Sequence, residues 1–220
     1  MNPQQCENLA FIQRAFCEGG WVMYVIAFFA ISTVVLIVER WMKFRVLVLS
    51  KREFSDQVYR MVVGGDLRQA ISYCDSRPAP LSNTVKAGLV QALNRRPDEE
   101  IQVAMDAAVM REMPKVEGWT SFLAVFGNVS VLSGLLGTII GMIGSFRAVA
   151  AADPATKAEE LSKGISHALN CTAFGLLVAI VAIVAYGLFQ HRIQKTENEV
   201  LETSMTLMNL IASNRDKLKE

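Results

Sequence analysis

Residues 21–38 read WVMYVIAFFAISTVVLIV. No charged side chain interrupts them, and as a helix the stretch is about 27 Å long, close to the thickness of a bilayer's hydrocarbon core. A helix of this length in a soluble core would need a polar face, and this one has none. Trp21 and Tyr24 at one end, and Trp41 just past the other, suit the two membrane interfaces. The stretch predicts a transmembrane helix.

Two more runs follow the same logic. Trp119–Phe146 contains no ionisable side chain. It is longer than a bilayer needs, so either its first turns lie below the membrane or the helix tilts. The third run, Gly164–Phe189, has His167 as its only ionisable residue. The composition fits part membrane, part water: 52% hydrophobic, 20% charged, mean hydropathy +0.30. A net charge of +1 gives no sign of a nucleic-acid partner, and none is expected.

The basic residues orient the spans. More than half of the 22 Lys and Arg fall between Glu39 and Gly118. Arg40, Lys43, Arg45, Lys51 and Arg52 crowd the exit of the first span; Arg111 and Lys115 precede the second; Arg192 and Lys195 follow the third. The N-terminal segment carries only Arg14. The expected layout has an outer segment 1–20, a first span 21–38, an inner helical region 39–118 and a long helix 119–149 holding the second span. An outer loop 150–163, a third span 164–189 and an inner helical tail 190–220 complete it. In a bacterium this puts the N-terminus in the periplasm and the C-terminus in the cytoplasm. No cleavable leader is expected, since no small-residue cleavage site follows the first apolar run.

The inner region reads as helices with breaks. Gly64-Gly65 interrupts the chain, and Asp66 can cap the helix LRQAISYC. Pro78 and Pro80 make a second break, after which Leu81–Leu93 is helical. Pro97-Asp98-Glu99-Glu100 starts another helix, which can run to Gly118 and on into the second span with a kink at Pro114. The four cysteines, Cys6, Cys17, Cys74 and Cys171, form no CxxC and no Cys/His metal pattern. On one helix Cys6 and Cys17 would stand about 16 Å apart, too far to bridge.

Small residues stripe both later spans. Ser130, Gly134, Gly137, Gly141 and Gly144 recur at helical spacing on one, and Gly164, Ala168, Cys171, Gly175, Ala179 and Ala182 on the other. Lipid offers no hydrophobic drive for helices to associate, so close backbone approach through such faces supplies it. The polar residues are more informative. Thr138 and Thr172 are equally far along the chain from Trp119 and His191, roughly 28 Å of helix, so an antiparallel hairpin sets both threonines at one depth. Asn170 and Ser145 add polar atoms nearby, and His167 stands near the outer end of its span. A threonine in lipid can satisfy its hydroxyl on its own helix, but two at one depth beside an Asn and a His favour a polar pathway or a polar partner helix. His167 reads equally as a relay or as an interfacial residue in contact with water. Arg147 reads as a snorkelling residue or as a partner of Glu159 or Glu160.

Two other classes fit parts of the pattern. Ser130, Ser133 or Ser145 with His167 would make a Ser–His dyad, but no oxyanion motif accompanies them. A passive membrane scaffold would need only the small-residue faces.

GLLGTIIGMIGSF (Gly134–Phe146) and GISHALNCTAFGLLVAIVAIV (Gly164–Val184), with GDLRQAISYC (Gly65–Cys74) upstream, resemble the MotA/TolQ/ExbB proton-channel family, and the three-span layout resembles its ExbB/TolQ branch. The resemblance covers most of the chain from Trp21 to about Arg192. It implies an all-α integral membrane protein with a helical cytoplasmic domain, assembled as a homopentamer in the bacterial inner membrane. It also implies two copies of a single-span ExbD/TolR/MotB-like partner, whose transmembrane aspartate takes and releases the ion. Thr138 and Thr172 match the threonines that face this aspartate. No cofactor, metal or enzymatic activity is implied. The transported ion would be H+, with Na+ the alternative. The chain departs from the pattern in having His167 where the family usually has Glu, and Val131 where a proline is expected. A histidine is neutral or positive where a glutamate is negative or neutral, so the ion and the machine driven (nutrient uptake, cell envelope or gliding motility) stay open.

Overall fold

The computed structural model describes residues 20–47 and 51–214, and these are helical nearly throughout. Cys6, Arg14 and Cys17 lie outside the described residues, as do the side chains of Arg45, Lys51, Arg52 and His167. Among the described residues, seven helices follow in chain order: α1 Gly20–Leu47, α2 Lys51–Val63, α3 Leu67–Ser76, α4 Pro80–Leu93, α5 Asp98–Glu117, α6 Thr120–Ala151 and α7 Lys157–Ser213. α1, α6 and α7 carry the stretches long and apolar enough to cross a membrane.

The helix ends follow local chemistry. α1 has no Gly or Pro after its first residue, so its backbone continues past Val38, where the apolar run stops, as far as Leu47. Asp66 accepts a hydrogen bond from the Gln69 amide at the start of α3, after Gly65 turns the chain at φ 83°. Pro80 opens α4 and Pro97 precedes α5, whose first turn is Asp98-Glu99-Glu100, matching the positive end of the helix dipole. α5 contains Pro114, yet it ends one turn later. Gly118 sits at φ 44°, and its amide closes the helix by donating to the Pro114 carbonyl at 2.8 Å. The helix from Pro97 therefore stops at this glycine and does not run on into α6. α7 starts at Lys157, inside the stretch expected as a loop, and continues unbroken to Ser213.

The chain forms two compact units. In the first, residues up to Glu39 join Trp119–Leu188. Here α1 packs on both other helices. Val22 and Ile26 meet Val178, Met23 meets Cys171, and the rings of Phe29 and Phe126 stand 5.6 Å apart. Much of this unit's outer surface is apolar: Phe28, Ile31, Leu132, Leu169, Ile180 and Leu188 are all more than 60% exposed or close to it. Water would not tolerate such a belt, whereas lipid or neighbouring chains would.

The second unit combines Arg40–Gly118 with the chain from Phe189 onward. Its core is built by Phe54, Val58 and Val62 of α2, Ala70 and Cys74 of α3, Val85 and Leu89 of α4, Ile101 and Met105 of α5, and Val200, Leu207 and Ile211 of α7. Burial pushes the Cys74 thiol up to about 11, against a smaller opposing effect from Ser82. The Ser82 hydroxyl donates to the Cys74 carbonyl at 2.7 Å.

Candidate functional site

The site grows from the glycines that let α6 and α7 touch. A Cβ on Gly175 would stand 2.6 Å from the Ser130 carbonyl oxygen and 3.1 Å from Gly134 Cα. A Cβ on Gly134 would meet the Cys171 carbonyl at 3.0 Å and Thr172 Cα at 3.2 Å, and one on Gly137 would meet Cys171 Cβ at 2.8 Å. Backbones this close bring short side chains from both helices into direct contact.

Thr138 and Thr172 meet at this crossing. Their hydroxyls hydrogen-bond to each other. Thr138 Oγ1 also lies 3.2 Å from the Gly134 carbonyl on its own helix and 3.2 Å from the Ala168 carbonyl on α7. Thr172 Oγ1 lies 3.3 Å from the same Gly134 carbonyl. Both side chains are half-buried. Each hydroxyl has one proton and two lone pairs. When one proton joins the two hydroxyls and the other goes to a carbonyl, lone pairs on both oxygens stay free to accept, for instance from a protonated carboxylic acid. When one hydroxyl rotates away from its carbonyl, it can donate to a carboxylate, while the other keeps its bond. The pair can therefore meet either protonation state of an acidic group without leaving a buried polar atom unsatisfied.

The other sequence candidates are placed separately. Ser145 is buried, donates to the Gly141 carbonyl at 2.7 Å, and fills the space a Cβ on Gly164 would take. It closes the α6–α7 contact beyond Gly141 and forms no bond to the threonine pair. Asn170 is half-buried two positions before Thr172, which sets it on a different face of α7. His167 is within the α7 helix, and its side chain lies outside the described residues. Ala168 is buried, with its carbonyl facing Thr138. Gly144 is exposed, with nothing within 4 Å of a Cβ there, so it takes no part in packing within one chain. Glu159 and Glu160 turn to Lys163, at 2.6 and 3.8 Å, and not to Arg147. The hydrogen bond from Lys163 holds the Glu159 carboxyl below its usual range. The Ser130 hydroxyl donates to the Phe126 carbonyl at 2.7 Å. Ser130 and Ser145 are thus both bonded to their own helix.

Arg40 is the feature that sequence reading passes over. It is the first of five crowded basic residues and looks like a solvated charge, yet it is 2% exposed. Only Gly118 hints at it: a Cβ there would lie 2.7 Å from the Arg40 Cζ.

Residues 76–202 match the model of the MotA/TolQ/ExbB proton channel family. The chain is 32% identical over 183 residues to the Tol-Pal system protein TolQ of Pseudomonas aeruginosa, a match covering 78% of each. It is 26% identical to a putative biopolymer transport protein, ExbB-like 3, of Synechocystis, over 78% of this chain and 81% of that one. It is 25% identical to the biopolymer transport protein ExbB of Pseudomonas putida, over 77% of this chain but only 54% of the relative.

Proposed function

Because this chain belongs to the MotA/TolQ/ExbB proton channel family, we propose that it is the channel-forming, stator-type subunit of an ion-driven motor in the bacterial inner membrane. Its N-terminus is periplasmic, and its second unit and C-terminal helix are cytoplasmic. Five copies surround two copies of a single-span partner that carries one transmembrane aspartate. The ion is a proton, with Na+ the alternative.

One observation carries this reading: the hydrogen-bonded pair Thr138–Thr172, set beside the close approach of α6 and α7 at Gly134. An ion entering from the periplasmic side, past His167, neutralises the partner's carboxylate. In neutral form that side chain can pass along the apolar part of the helix interface; charged, it is costly there. Opposite the threonine pair it finds a donor or an acceptor according to its state. Release to the cytoplasm restores the charge. Five copies around two cannot match symmetrically, so each ion turns one set a step against the other. A charge crossing 100 mV supplies about 2.3 kcal/mol, enough to bias such a step.

Thr172→Val is the test. It keeps side-chain volume and removes the hydroxyl. The expected result is an assembly of unchanged mass, by light scattering, that no longer performs ion-driven work. Undiminished work from that assembly would overturn the role given to Thr172.

A further inference from the structure

The second unit holds a buried cation that the motor mechanism does not use. Arg40 Nη1 donates to the Val116 carbonyl at 3.4 Å, a long bond, and Nε is buried with no hydrogen-bond partner. A buried guanidinium so poorly satisfied is costly unless something else meets it. Arg40 also lines a small cleft with Lys43, Phe44, Lys115 and Val116. Arg40 and Lys43 share one face of α1, while Lys115 and Val116 come from the last turn of α5. The absence of a side chain at Gly118 leaves room for the guanidinium. The lining carries three positive groups, of which Lys43 and Lys115 each already have an interaction within the chain. Glu112, itself buried, engages Lys115 from one side at 2.7 Å.

The chemistry asks for an anion with several oxygens. Arg40 directly follows Glu39 and the uncharged 21–38 stretch, so the cleft stands where that span leaves the bilayer. Trp41, next in sequence to Arg40 and with Arg192 5.9 Å from its ring centre, is the aromatic residue such a boundary favours. Phe44, in the lining, stacks on Phe189 at 5.7 Å and offers an apolar wall. Positive groups beside an apolar wall at this depth suit a lipid phosphate. We infer that this cleft binds the phosphodiester headgroup of an anionic phospholipid from the cytoplasmic leaflet, with Arg40 supplying the buried fork and Lys43 and Lys115 the rim.

The full chain, stripped of lipid in detergent, is titrated with phosphatidylglycerol or phosphatidylcholine and followed by native mass spectrometry. The expected result is a clear preference for phosphatidylglycerol, weakened about fivefold by Lys43→Gln, the loss expected for one charge at a membrane surface. Lys195→Gln, a basic residue outside the cleft, should leave the preference unchanged. Arg40→Lys keeps the charge but loses the fork, and should also weaken it. Lys43 is exposed, so its replacement tests the site even if Arg40→Lys does not fold. Equal binding of the two lipids would overturn the site. So would equal losses from Lys43→Gln and Lys195→Gln, which would mean diffuse surface charge. Full displacement of the lipid by millimolar inorganic phosphate would mean a site for free anions and would overturn the lipid assignment.

Discussion

The hydroxyls of Thr138 and Thr172 hydrogen-bond across the α6–α7 contact, and both reach the carbonyl of Gly134. One carbonyl thus sits under two hydroxyls, and the helices must stay close for this to hold. That closeness comes from glycine, while the chemistry comes from the hydroxyls. The two can be perturbed separately.

Replacing the hydroxyl tests the chemistry. Thr138→Ser keeps the donor and both lone pairs, and ion-coupled work should survive it. Thr138→Val removes them at equal volume. A hydrogen bond to a charged group is worth about 1.5–3 kcal/mol, so work should fall by roughly tenfold or more. The check is ion-driven output per assembled complex for the two variants.

Replacing the glycine tests the closeness. At Gly175 an alanine Cβ would meet the Ser130 backbone oxygen at 2.6 Å, and neither backbone can give way cheaply. Gly175→Ala should cost about 1–3 kcal/mol through overpacking and lower the unfolding temperature in detergent. Gly144→Ala, with open space around it, should leave that temperature unchanged or raise it slightly.

Cys74 offers a test of the second unit. Its thiol is buried, and burial lifts it from 9.0 to about 11. At pH 8 the folded protein should carry about a hundredfold less Cys74 thiolate than an unfolded chain. Alkylation at Cys74, read by peptide mass spectrometry, should appear only on unfolding. The linkage runs one way. Between pH 9 and 11 the folded state holds the proton that the unfolded state has lost. Stability should therefore fall as pH rises through that window.

The three spans are legible in the sequence because apolar length is a local property: residues 21–38 need no neighbour to be read. Thr138 and Thr172 are legible as a pair because two helices from a common boundary put equal chain distances at equal depth. Helix ends are harder. Val38 ends the apolar run of α1 but not its backbone, since hydrogen bonding continues through Glu39 and Arg40 regardless of polarity. Pro114 draws attention as a breaker, yet the break falls at Gly118, where a positive φ and the bulk of Arg40 meet. Arg40 itself is invisible to pattern reading. Its burial depends on α5 returning to α1 across some 76 residues.

A cysteine crosslink is the most direct test of the proposal that the threonine pair faces the acid of a single-span partner. In a background free of native cysteines, Thr172→Cys is combined with a partner whose transmembrane aspartate is replaced by cysteine, and the membranes are oxidised. Leu177→Cys, on an exposed and different face of α7, serves as the control. The expected result is a disulfide to the partner from position 172 and none from position 177. A product from position 177 with none from 172 would contradict the placement and the ion route built on it.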